Sequence, residues 1–134
     1  MGKFLSLGLV LLCFFSSCTK KSDNTELVLK ATVLSAPANF AVFNQKTIIL
    51  EWKKNIDSKV KYDVFLGTNA ELTDENKIAS DILDNRLKVE DLKLNYTYYW
   101  KVNSKNLSKE ISSSSVFTFT VQNSLPKKPT LIFP

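Results

Sequence analysis

Hydrophobic and polar residues alternate along five short stretches in the middle and C-terminal parts of this chain. The stretches are residues 47–53, 61–66, 86–90, 96–102 and 116–121. Alternation with a period of two is typical of strands that bury one face. Turn- and loop-forming residues separate the stretches, at 55–58, 69–76, 83–85 and 103–115. Residues 70–76 have room for one helical turn and for nothing longer. The pattern predicts an all-β, antiparallel β-sandwich.

The alternation also predicts which large aromatic residues are buried. Trp52, Tyr62, Tyr98 and Trp100 each lie on the apolar side of a predicted strand. Aromatic side chains bury large areas, so these four rings are enough to form the centre of a small sandwich core. We expect them to lie between the two sheets.

The first 18 residues follow a different pattern. Lys3 supplies a positive charge, residues 4–15 are apolar apart from Ser6 and Gly8, and two small residues precede Cys18. A positively charged N-terminal region, a short apolar run and small residues at its end are typical of an export signal. The apolar run is also shorter than the roughly 20 residues that a membrane-spanning helix needs.

The sequence Phe15-Ser16-Ser17-Cys18 resembles the lipobox of bacterial lipoproteins, although Phe15 stands where that motif usually has Leu. The resemblance implies a signal peptide over residues 1–17 and a lipid on Cys18, which would anchor the protein in the membrane. Thr19 follows Cys18, and by resemblance to enterobacterial sorting this implies the outer membrane or cell envelope. The alternatives are an ordinary secretory signal cut near Ser17 and an uncleaved anchor.

Composition narrows the possible chemistry. The chain has 18 Lys and Arg against 13 Asp and Glu, but no basic run of five or more, so we expect no nucleic-acid partner. It has no histidine, which excludes His-dependent triads and zinc sites containing His. The acidic residues at 71, 74 and 75 fit no calcium-loop spacing, so we predict no metal and no cofactor. Cys13 lies in the signal and Cys18 is the predicted lipid site, so stability must come from a hydrophobic core.

Several residues in order resemble a fibronectin type III domain over residues 37–122. They are Trp52, Tyr62-x-Val64, Leu92, Tyr98 and Val102. The resemblance implies an immunoglobulin-like sandwich of about seven strands with Trp52 in its core. It also implies a tyrosine corner, in which Leu92 precedes Tyr98 and the Tyr98 hydroxyl bonds to the backbone. Asn95 stands where the family usually has Gly, and Asn also tolerates the left-handed conformation.

The flanking segments are interpreted from the same resemblance. Residues 18–36 comprise the lipidated cysteine, a polar tether and a lead-in, and the apolar positions at 27–34 form either a strand or part of the linker. Residues 123–134 are a linker whose end resembles the opening of a second repeat, which would make the chain a truncated one. A frayed C-terminus is the alternative.

Phe65, Tyr99 and Lys101 form the candidate ligand-binding site. Alternation places them opposite the core residues of their strands, where two exposed aromatic rings could hold a sugar ring or an apolar side chain. The alternative is that loops or a neighbouring segment cover them.

We therefore expect a non-catalytic binding or spacer module on a membrane-anchored surface lipoprotein, with a protein or glycan as its ligand. One alternative is a glycan-capture lipoprotein, similar to accessory proteins of starch-utilisation systems. The other is an accessory domain of a truncated hydrolase.

Overall fold

The computed structural model describes residue 2 and residues 28–123, and within them nine strands form two facing sheets. The strands are β1 (Leu34–Ala36), β2 (Ala41–Phe43), β3 (Ile48–Trp52), β4 (Lys61–Gly67), β5 (Lys77–Ile82), β6 (Arg86–Val89), β7 (Tyr96–Lys105), β8 (Ile111–Ser113) and β9 (Phe117–Val121). A 3₁₀ turn, Asp74–Asn76, precedes β5. The predicted signal, Cys18 and the C-terminal tail lie outside the described residues. Within the described part, no helix has the length and apolar character needed to cross a bilayer.

The two sheets differ in size. The small sheet has the order β1-β3-β6, and the large sheet has the order β2-β9-β7-β4-β5, with β8 beside the end of β7. Most neighbours are antiparallel, as the sequence predicts, but β2 runs parallel to β9. The predicted fold class, an antiparallel β-sandwich, is confirmed, and the three-residue strand β2 forms the one parallel pair among the described strands.

The core lies between the sheets and consists of the inward-facing residues of each strand. The largest fully buried side chains come from β3, β4, β7 and β9, namely Leu50, Trp52, Tyr62, Val64, Trp100, Val102, Phe119 and Val121. Trp52 of the small sheet meets Tyr62 of the large sheet edge to face, with ring centroids 5.5 Å apart. Aromatic pairs favour this geometry, so the contact joins the two sheets at their centre.

The tyrosine corner is present. The Tyr98 ring is buried and stacks on Phe119 with centroids 5.4 Å apart. The backbone N–H of Lys93 donates a hydrogen bond to the Tyr98 hydroxyl, with an N···O distance of 2.8 Å. Asn95 has φ = 63°, the left-handed conformation expected of it. Leu92 is buried beneath this turn.

The five stretches with clear alternation correspond to β3, β4, β6, β7 and β9, and the sequence pattern assigns no strand to β2, β5 or β8. β5 lies between two predicted loops, in a segment whose apolar and polar residues do not alternate strictly. β8 lies in a serine-rich stretch that gives no apolar signal. β7 also continues to Lys105, three residues beyond the predicted end. These extra strands explain why there are nine rather than about seven.

The domain also begins earlier than residue 37. β1 pairs with β3 through Leu34, which is buried opposite Trp52. Before it, the Thr32 hydroxyl donates to the Lys53 carbonyl, and the Lys53 N–H donates to the Val33 carbonyl at 2.8 Å. Of the two interpretations of residues 27–34, the described part thus contains a strand only from Leu34, preceded by an extended segment.

Candidate binding face

The candidate site residues lie on the outer face of the large sheet, which is the side that faces away from the core. Phe65 comes from β4, and Tyr99 and Lys101 come from β7. Phe65 and Lys101 are direct cross-strand partners, and Lys77 of β5 is the partner of Phe65 on its other side. The structure therefore brings the three predicted residues together on one face.

Phe65 is not exposed, so the prediction of an open aromatic platform is wrong. Only 3% of the residue is accessible. The Lys101 Nζ lies 5.0 Å from the centre of the Phe65 ring, and the Lys77 Nζ lies 5.4 Å from it. Both distances are within the range of cation–π attraction. Lysine stems cover apolar surface while their amines stay in water, so two lysines close the ring off from solvent.

The loop after β4 folds over the same face. Gly67 continues the outward-facing row of Phe65, and a Cβ at Gly67 would lie 2.8 Å from the Asn76 side chain and 3.1 Å from Leu72. Leu72 is itself buried. Gly67 thus permits residues 68–76 to approach the sheet closely, which a larger residue would prevent. The packing of this loop and the lysines over Phe65 both depend on residues outside β4, so alternation within β4 could not predict them.

Tyr99 and Lys101 are half-buried and remain the accessible part of the face. Tyr99 lies opposite Gly67 on one side and Thr118 on the other, so its ring has one neighbour without a side chain. Lys101 has no carboxylate within 4.0 Å among residues 28–123. Next to them, the hydroxyls of Thr97 and Thr120 bond to each other at 2.9 Å. The polar groups that this part of the face presents to a ligand are the Tyr99 phenol, the Lys101 amine over the Phe65 ring and the paired hydroxyls of Thr97 and Thr120.

A buried aspartate is the main feature that sequence reasoning missed. Asp63 lies on the same face as Phe65, with only 6% of its side chain accessible. Lys105 Nζ is 2.8 Å and Lys77 Nζ is 3.6 Å from its carboxylate oxygens. The Ser80 hydroxyl and the Asp81 backbone N–H also donate to it, at 2.8 and 2.9 Å. The only sequence signal was a charged residue inside a strand with strong alternation.

This network changes the titration of its two central groups. Burial by itself would raise the pKa of Asp63, but hydrogen bonds from Lys105, Asp81 and Ser80 outweigh it and lower the pKa below 3.8. Burial would lower the pKa of Lys105, but its bonds to Asp63 and Asp81 raise the pKa above 10.5. Both groups are charged at neutral pH. The network therefore holds these two opposite charges in place.

The groups on the outer face of the large sheet are suited to binding a ligand. The outer face offers a ligand the hydroxyls of two threonines, the Lys101 amine and the edge of the Tyr99 ring, and the Asp63 carboxylate is already held by Lys77 and Lys105. Among the described residues, no group of three or more His, Cys, Asp and Glu side chains could hold a metal ion. A ligand on this face would be bound by polar contacts and by one aromatic edge, and stacking on a flat double platform is excluded by the burial of Phe65.

Comparison with known proteins gives a clear result for structure only. No protein-family model matches the sequence, and no curated protein matches it. An Fn3-like protein from Clostridium thermocellum has a TM-score of 0.50 and 16% identity, with 75% of this chain and 94% of that chain covered. The human fibronectin type III domain containing protein 3 has a domain with a TM-score of 0.50 and 20% identity, and 74% and 92% are covered. The fold is that of a fibronectin type III-like domain.

A third similar structure is a β-1,2-glucanase from Parabacteroides distasonis. It has a TM-score of 0.56 and 19% identity, and the match covers 74% of this chain. The chain spans only 14% of the glucanase length. At such identities the likeness concerns the type III-like fold alone.

The residues predicted to form the core of the type III-like domain are all buried. Trp52, Tyr62, Leu92, Tyr98 and Trp100 are each less than 9% accessible. Tyr62 also has a role that the pattern did not predict, because its hydroxyl accepts a hydrogen bond from the Asn55 backbone N–H at 2.7 Å. Tyr96, on the same side of β7 as Tyr98, is 46% accessible because it lies at the end of the sheet.

Proposed function

We propose that this chain is a membrane-anchored lipoprotein whose type III-like sandwich is a non-catalytic spacer and binding module. The observation that carries the spacer role is where the chain enters and leaves the sandwich. β1 starts beside the end of β3, at the end of the sandwich where Lys61 pairs with Lys105. β9 finishes at Val121, which pairs with Tyr96 at the opposite end. Entry and exit at opposite ends keep the segments on the two sides of the domain apart.

The two ends of the domain lie far apart. β7 has ten residues and runs the whole length of the large sheet. At about 3.3 Å per residue it spans roughly 30 Å. A domain tethered at one end to a lipid would therefore hold its far end about this distance from the membrane, and it would present the outer face of the large sheet to its surroundings.

The anchor is tested by acylation of the cysteine. The full chain, expressed in a Gram-negative host with an alkyne analogue of palmitate, should be labelled and should fractionate with membranes. Cys18→Ser should abolish the label. Cys13→Ser is the matched control and should behave as the unaltered chain, because Cys13 lies inside the predicted signal. Label retained in Cys18→Ser would contradict the proposal.

The binding role is tested on the outer face. Glycan and peptide arrays probed with the protein should give signals that fall in Tyr99→Ala and Lys101→Ala. Tyr96→Ala is the control, since Tyr96 is exposed but lies on the other side of β7. Glycan binding that requires Tyr99 would favour the glycan-capture alternative. If none of the three substitutions changes the binding, the ligand does not bind to this face, and only the spacer role of the proposal remains.

A second candidate function is that of an accessory domain in a longer hydrolase. The similar β-1,2-glucanase favours it, because a sandwich of this shape there occupies a small part of a much longer chain. Sequencing the gene beyond the codon for Pro134 tests this candidate. An open frame that continues into a catalytic domain would support it, and an immediate stop codon would count against it.

A further inference from the structure

The end of the sandwich where the chain enters carries a cluster of exposed aliphatic side chains. Ile56 is 100% accessible, Val28 79%, Leu107 70% and Ile111 62%. Single exposed apolar residues are common on any protein, but several together at one end mark a contact surface. We call this the loop end, formed by residues 28–33, 53–61 and 105–111.

Three shallow clefts connect these side chains into one surface. The first, of about 190 Å³, lies between Val28 and Ile56 and reaches Val60 and Asn106. The second shares Ile56 with it, and the third shares Asn106 with it and continues to Leu107. The aliphatic residues therefore belong to a single continuous area.

This area is strongly basic. The clefts are lined by seven lysines against two aspartates. The lysines are Lys30, Lys53, Lys54, Lys59, Lys61, Lys105 and Lys109, and the aspartates are Asp57 and Asp81. Lys105 is bound to Asp63 and Asp81. The other six lysines have no carboxylate within 4.0 Å among the described residues. Glu110 is nearby, and its carboxylate accepts a hydrogen bond from the Asn106 side-chain amide.

We propose that the loop end is a membrane-docking surface that binds a bilayer containing anionic lipids. Exposed aliphatic tips enter the interfacial region of the bilayer, and the unpaired lysines contact phosphate headgroups. Lysines near an anionic surface each strengthen binding, and apolar tips add affinity in proportion to the area they bury. A purely polar anionic ligand would use the lysines but would leave Ile56 and Leu107 in water.

The position of the predicted anchor agrees with this occupant, and here the inference rests on the proposed function. Nine residues, 19–27, separate Cys18 from Val28, where the loop end begins. A chain of that length spans at most about 35 Å. A lipid on Cys18 would therefore keep the loop end close to the bilayer, whereas the opposite end of the sandwich would face away.

The test uses the processed chain, residues 18–134, with Cys18→Ser so that no lipid contributes; it retains every strand of the sandwich. Flotation with vesicles containing about one third phosphatidylglycerol should carry the protein, and vesicles of phosphatidylcholine alone should not. Raising the salt concentration should weaken the binding, because salt screens the lysine–phosphate attraction. Absence of flotation with the anionic vesicles would overturn the proposal.

Matched variants separate the loop end from general positive charge. Lys53→Gln with Lys54→Gln should lower the vesicle affinity about twentyfold, and Ile56→Ser should lower it about fivefold. The controls are Lys46→Gln with Lys93→Gln, exposed lysines at the opposite end, and Phe40→Ser, an apolar residue that is 78% accessible elsewhere. The controls should float as the parent does, and circular dichroism checks that all variants are folded. Equal losses in variants and controls would overturn the proposal.

Two further outcomes distinguish the possible causes. Dextran sulfate that binds the parent and Ile56→Ser equally well, and as tightly as the vesicles bind the parent, would assign the surface to a soluble polyanion and overturn membrane docking. Vesicle binding by the unacylated chain, together with no acylation of Cys18 in cells, would support the docking surface and refute the lipid anchor. Acylation of Cys18 in cells, without vesicle binding by the unacylated chain, would support the lipid anchor and refute the docking surface.

Discussion

Two tyrosines in this domain each join the core to a loop. The Tyr62 ring packs on Trp52 while its hydroxyl accepts the Asn55 N–H near the loop end. The Tyr98 ring stacks on Phe119 while its hydroxyl accepts the Lys93 N–H at the corner. A buried N–H without a partner is unfavourable by about 1–3 kcal/mol, so each hydroxyl stabilises its loop in the folded position.

Tyr98→Phe should lower the free energy of unfolding by about 1–2 kcal/mol, because the Lys93 N–H loses its acceptor while the ring packing stays. Urea unfolding followed by tryptophan fluorescence measures the change. Tyr99→Phe is the matched control, since its hydroxyl has no hydrogen-bond partner among the described residues, and it should change the stability by less than about 0.5 kcal/mol. Equal effects of the two substitutions would contradict the role of the corner.

Predictions of burial from the sequence were correct for residues whose burial depends only on the side of the strand on which they lie. Trp52, Tyr98 and Trp100 are buried because each lies on the inward side of a regular strand. Phe65 lies on the outward side, yet it is buried, with Lys77 and Lys101 over its ring. Such cover comes from elsewhere in the chain, and alternation contains no information about it.

At the scale of elements, β4 connects the edge strand β5 to the rest of the large sheet. It lies between β7 and β5, and its Asp63 bonds to Lys105 of β7 and to Ser80 and the Asp81 backbone of β5. Positive φ at Asp81 marks the irregularity that turns this N–H toward the carboxylate. The network thus compensates for ladder pairing that is interrupted between β4 and β5.

The Asp63 network predicts a specific dependence of stability on pH. The pKa of Asp63 in the folded protein lies below 3.8, so the carboxylate stabilises the fold above about pH 4, and this contribution is lost as the pH falls through the folded pKa. The pKa of Lys105 lies above 10.5, so its contribution is complete below about pH 10 and is lost as the pH rises through the folded value.

Asp63→Asn should therefore cost about 2 kcal/mol at neutral pH and should flatten the loss of stability in acid. Urea unfolding at a series of pH values from about 7 to about 2 measures both effects. Glu71→Gln is the control, because Glu71 is exposed and pairs with no cation within 4.0 Å among the described residues. A pH profile of Asp63→Asn parallel to that of the parent would show that Asp63 is not the titrating group.

Elements were predictable from sequence when their residues alternate clearly between apolar and polar. The five stretches with clear alternation all became strands. β2 and β8 have three residues each, too few to display a period, and β5 is an irregular edge strand. Their positions follow from the neighbours they pair with, which are β9, β7 and β4, and not from their own residues.

At the scale of the whole molecule, the two sheets are held face to face by side-chain packing and by the chain segments that connect their strands. No cysteine occurs between residues 28 and 123, so no disulfide can connect the sheets there. The central link is Trp52, which extends from β3 of the small sheet to Tyr62 of the large one. The two sheets should therefore unfold together, as one cooperative unit, because neither can bury its inner face without the other.

Trp52→Ala tests this link most directly. Removing a fully buried indole should cost about 3–5 kcal/mol through lost contacts and the cavity it leaves. Stabilities of small domains are about 5–15 kcal/mol, so the variant should still fold but unfold at a much lower urea concentration. Trp100 fluorescence reports the large sheet and circular dichroism reports both sheets, and the two unfolding curves should coincide. Ile49→Ala, on the exposed side of the same strand, is the control and should cost less than about 1 kcal/mol. Two separate transitions in the parent protein would show that the sheets are independent and that Trp52 does not join them.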